Sequence, residues 1–72
     1  AAMRFVIEVA SRPDRDELVA EIWWNDQMVA EVRKTGDGRQ FVDLYASPSG
    51  TPWSFVIDEW LNALKEAQDR LG

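Results

Sequence analysis

The sequence predicts an α+β fold: a two-layer, four-stranded antiparallel β-meander followed by one C-terminal α-helix packed on one face, in the order ββββα. Three observations predict it. Residues 3–46 alternate apolar and polar with a period of two, as half-buried strands do. Glycine, proline and Asn-Asp punctuation cuts that stretch into short segments. The tail instead repeats its apolar residues every three or four positions, like an amphipathic helix. One apolar sheet face and one apolar helix stripe bury each other, which gives two layers. A chain of 72 residues makes one domain, 1–72. It buries only about 60% of its unfolded surface, so its core is small. With no cysteine to staple it, the apolar payload comes from four Trp, three Phe and one Tyr.

"RFVIEVA" puts Phe5, Ile7 and Val9 on one face and Val6 and Glu8 on the other. "SRPDRDE" is polar, contains Pro13 and reads as a loop. "LVAEIWWN" turns Leu18, Ala20, Ile22 and Trp24 to the core, and "MVAEVRK" does the same with Met28, Ala30 and Val32. "TGDGR" is a glycine turn, and "QFVDLYA" adds Val42, Leu44 and Ala46. "SPSGTP" ends the alternation and gives a loop over 47–51. In the tail, Trp53, Val56, Ile57, Trp60, Leu61, Leu64, Ala67 and Leu71 follow one helical stripe. Thr51 and Pro52 suit an N-cap and first-turn proline, which predicts a helix over 52–71. The alternative makes Asp58 the N-cap and puts Trp53, Phe55 and Ile57 on a short strand over 52–57. Gly72 stands where a C-cap glycine belongs.

Turn length sets the register. A three-residue loop Asn25-Asp26-Gln27 pairs Trp24 with Met28, Ile22 with Ala30 and Ala20 with Val32. A two-residue loop shifts the pairing and puts Ala20 or Ile22 beside Glu or Gln, and buried carboxylates are costly, so the three-residue loop is expected. The same reasoning at Gly36-Asp37-Gly38 pairs Val32 with Val42, Ala30 with Leu44 and Met28 with Ala46. The first strand is less constrained; pairing Ile7 with Ile22 keeps its apolar face inward.

These registers line up the outward residues. Trp23 stands opposite Val29 and then Tyr45, with Val6 joining the row. Glu8, Glu21, Glu31 and Asp43 form a row of carboxylates. Val19 stands opposite Arg33 and then Phe41, where the guanidinium can lie over the ring. Directly opposed like charges each cost roughly 1 kcal/mol in water, which a sheet tolerates. Val6, Glu8, Glu21, Trp23, Val29, Glu31, Arg33, Phe41, Asp43 and Tyr45 are therefore the candidate partner-binding residues, an apolar band beside a line of acids. Against this stands the ordinary preference of exposed strands for aromatic and β-branched residues.

The composition argues against catalysis. With no His and no Cys, the commonest general base and the thiol nucleophile are missing. Ser11, Ser47, Ser49 and Ser54 have no histidine to activate them, and Lys34 and Lys65 read as solvated. Asp14, Asp16 and Glu17 lack the spacing and glycine of a calcium loop. The reading is a protein that is no enzyme and carries no cofactor or metal.

A net charge of −5 disfavours phosphate binding. No apolar run is long enough to span a membrane, and "AAMRFVIEVA" has no basic leader, so the expected setting is cytoplasmic. The leading hypothesis is a small acidic interaction module that binds a basic protein partner, or itself, through the outer sheet face. An antitoxin- or immunity-type inhibitor is one concrete form. Homodimerisation through that face, or by edge pairing of the first or fourth strand, is a variant. At the level of topology alone, a meander followed by a C-terminal helix resembles single-strand-binding domains of the PC4 coactivator type. That resemblance implies stacking of bases on outward aromatics, but Arg33 sits among acids and no motif is shared. Nucleic acid therefore ranks below protein as a partner.

Overall fold

The computed structural model of the chain describes residues 4–12 and 17–72, the side chain of Arg12 excepted. The loop expected around Pro13, with Asp14 and Asp16, lies outside the described residues, as do Ala1, Ala2 and Met3. Four strands, β1 (Phe5–Arg12), β2 (Glu17–Trp24), β3 (Gln27–Lys34) and β4 (Gln40–Leu44), form one antiparallel sheet in that order. A single helix, α1 (Ile57–Leu71), packs on it. The architecture is the expected ββββα.

The β1–β2 register pairs Ile7 with Ile22, Val9 with Ala20 and Phe5 with Trp24, the register that keeps Glu8 in the acid row and one that parity allowed without fixing. The β3–β4 register pairs Val32 with Val42 and Ala30 with Leu44, also as expected. The Thr35 N–H donates to the Arg39 carbonyl at 2.8 Å, closing the three-residue loop Gly36-Asp37-Gly38. Gly38 has φ +89°, a conformation in which a Cβ is strained.

The β2–β3 connection departs from expectation. Only Asn25 and Asp26 form the turn, both with positive φ (49° and 64°), the signature of a type I′ hairpin. Trp24 therefore faces Gln27, and Trp23 faces Met28. Between Trp23 and Ile22 the register shifts by one, a β-bulge, and from Ile22–Ala30 onward the pairing is the expected one. The extra residue is Val29. It joins the buried core at 1% exposure, together with its neighbour Ala30. The expectation that Val29 points outward is thus overturned, because the bulge sends two consecutive residues to one side.

The helix begins at Ile57, with Val56 as N-cap in an extended conformation and no side-chain cap. Thr51 and Asp58 are therefore not caps. Residues 52–56 form neither helix nor strand, although Trp53 and Phe55 both pack against the core. Phe55 is the hub of an aromatic cluster, with ring centroids 4.8 Å from Phe5, 5.2 Å from Trp24, 5.6 Å from Trp53 and 5.8 Å from Trp60. The Trp53 indole is anchored by a 2.9 Å bond from Nε1 to the Tyr45 carbonyl. Gly72 is the C-cap, its N–H bonding the Asp69 carbonyl.

The buried helix positions are Ala63 and Ala67, with Trp60, Leu64 and Leu71 flanking them. Small residues at the contact let the helix approach Ala20 and Ala30, both fully buried on the sheet. Val56, Ile57 and Leu61 lie outside this contact and remain exposed. The helix rests on β1 and β2, less on β3, and makes little contact with β4.

Candidate functional site

The registers put all four acids of the outer face in one row. Glu8 pairs with Glu21, Glu21 with Glu31, and Glu31 with Asp43, each directly opposite the next. Val6 stands opposite Trp23, as expected, and the row continues into Met28. Val29 is on the helix side, so the band does not run through it to Tyr45. Tyr45 follows the last residue of β4 and is 38% exposed.

The two ends of this face differ. At one end, the Arg33 Nε donates to Asp43 Oδ2 at 2.8 Å, and the Arg33 guanidinium lies 4.6 Å from the Phe41 ring centre. Arg39 approaches the same ring at 5.4 Å. Charge and ring are already matched within the chain. In the middle, Glu31 is only 4% exposed, so it is in the row but does not offer its carboxylate to a partner. That corrects its place among the contact residues.

At the other end, Trp23 Nε1 donates to Glu21 Oε1 at 3.2 Å, which orients the indole along the acid row. Val6, Glu8, Trp23 and Asp26 line an open notch there. Asp26 enters this end although sequence periodicity did not select it, and Met28, expected in the core opposite Trp24, stands opposite Trp23 instead because of the tight turn and bulge. The signal for both was the Asn-Asp dipeptide, whose tight turn brings Asp26 beside Trp23 and sets Met28 opposite it. The notch joins an apolar wall to carboxylates, the chemistry that receives a Lys or Arg side chain.

Among the described residues, no three Asp or Glu side chains converge as a metal site would need. No helix among them is long and apolar enough to cross a membrane. No family of known proteins matches the chain, and no curated protein or solved structure does either.

Proposed function

We propose that this chain is a small, acidic, non-catalytic interaction module that binds a basic protein through the Trp23 end of its outer sheet face. The observation that carries the reading is the notch in which Val6 and Trp23 stand beside Glu8, Glu21 and Asp26. A cationic side chain entering it would lie against the indole with its charge toward the carboxylates. Attraction over the indole is worth about 0.5–1 kcal/mol where exposed and more when water is excluded. An inhibitor of a basic enzyme is one form such a module takes.

Capture of partners from the source cell tests it. A basic protein retained by the wild type should be lost with Trp23→Ala. With Glu8→Lys, its retention should weaken most at low salt, where the charge attraction is least screened. Glu8 is the better choice for reversal than Glu31, since an exposed side chain can be changed without disturbing the core. Retention that ignores both substitutions would refute the reading, and retention of nucleic acid, improved by Glu8→Lys, would replace it.

A further inference from the structure

We propose that the chain also forms a two-fold homodimer through the free edge of β4, covering the apolar groove between that strand and the helix. The groove has Val29 at its base and is lined by Leu44, Trp53, Phe55, Ile57 and Trp60. The helix reaches β4 at Gln40, whose Oε1 accepts from Gln68 Nε2 at 2.7 Å, and the groove is open because Val42 and Leu44 beyond it stay exposed. Around it, Val42, Leu44, Val56, Ile57 and Leu61 are 44%, 68%, 61%, 72% and 55% exposed. Side chains exposed to that degree present on the order of 500 Å² of apolar surface, at the upper end of the largest patch on an ordinary monomer.

The backbone selects a second copy as the occupant. The Arg39 carbonyl and the Tyr45 N–H both point to β3. Antiparallel alternation then turns the N–H and C=O groups of Gln40, Val42 and Leu44 to the free edge. A two-fold axis perpendicular to the sheet keeps each residue on its own face, so β4 pairs with its counterpart about a residue, not between two. Centred on Val42, the pairing opposes Val42 with Val42, Gln40 with Leu44 and Phe41 with Asp43. It keeps the two Asp43 carboxylates from standing opposite each other.

Charge permits the contact despite the net −5. The six groove residues are uncharged, and Asp43 lies on the opposite face, paired with Arg33. The other sheet edge is a poorer partner. Arg70 reaches from the helix to the Ile7 carbonyl of β1 at 2.8 Å. A β4-to-β1 contact would moreover propagate without closing, whereas the two-fold contact closes on itself.

Sedimentation velocity over a concentration series should show reversible monomer–dimer exchange. Ile57→Lys and Leu44→Lys should each weaken association at least about tenfold, by forcing a charge into the contact. Both side chains are exposed in the monomer, so circular dichroism should report an intact fold. Trp23→Ala, on the other face, should leave association unchanged while abolishing partner capture, which separates the two proposals. The chain has no cysteine, so Val42→Cys offers a direct measure. Paired Cα atoms about 5.5 Å apart lie within disulfide range. Oxidation should therefore link two Val42→Cys chains, and should not link Val6→Cys chains. A wild type that stays monomeric at its highest soluble concentration overturns the proposal. So does a dimer indifferent to Ile57→Lys and Leu44→Lys, or equal linking at both cysteine positions.

Discussion

The two tight hairpins of the sheet reach equivalent registers by different routes. Between β3 and β4, three residues supply the odd-length connection, with Gly38 taking the positive φ. Between β2 and β3, two residues make the turn and Val29 supplies the odd residue later, as a bulge. Either route brings apolar residues opposite apolar residues from Ile22–Ala30 and Val32–Val42 onward. The consequences differ. A loop residue stays in water, whereas the bulged residue is driven into the core and becomes the base of the groove. The place of the odd residue thus decides which side chains line each face, while the long-range pairing stays the same.

The largest expected effect comes from Val29→Asp. With the bulge, this buries an uncompensated charge and costs about 3–5 kcal/mol, much of a small domain's stability. Were Val29 outward, the change would fall within about 0.5 kcal/mol. Urea denaturation distinguishes the two, and a negligible loss would sink the bulged arrangement.

A medium effect should come from the turn residues. Asn25→Ala forces a Cβ-bearing residue without a local hydrogen-bonding side chain into positive φ, at about 1 kcal/mol, while Asn25→Gly should be tolerated. Gly38→Ala should cost at least as much. A Cβ there meets nothing within 4 Å, so any loss is conformational and not steric. Equal tolerance of Ala and Gly at position 25 would contradict the two-residue turn.

The smallest effect belongs to Asp37 in the longer loop. The Thr35 hydroxyl and the Arg39 N–H both donate to its carboxylate and hold its pKa below the ordinary value. A carboxyl depressed on folding contributes stability above its unfolded pKa and loses that contribution as pH falls through the lower folded one. Asp37→Asn should therefore be slightly less stable than the wild type at neutral pH and indistinguishable from it in acid. A difference that persisted at low pH would point to another cause.

Much of this was legible in the residues. Alternation and turn length aligned Glu21, Glu31 and Asp43, because a one-residue slip would turn a carboxylate toward the helix. Ile7 opposite Ile22, which brings Glu8 into the row, was a register that alternation allowed but the long connection before β2 did not fix. The Val29 bulge was not legible, since a three-residue loop and a two-residue turn with a bulge give the same pairing beyond it. Nor was the helix start. Trp53 and Ile57 are four apart, a spacing that fits both a strand face and a helix face, so periodicity cannot separate the two.

Sequence by itself determined the layers, the strand order and which pairs share a row, for these follow from local alternation and the cost of burying charge. Tertiary structure alone decided how far the helix reaches. Its alanine contacts seat it over β1 and β2, with Phe55 filling one end, and one helix is too narrow to cover four strands. The uncovered part of β4 and the apolar groove beside it depend on that placement, on packing between distant segments that no local pattern records.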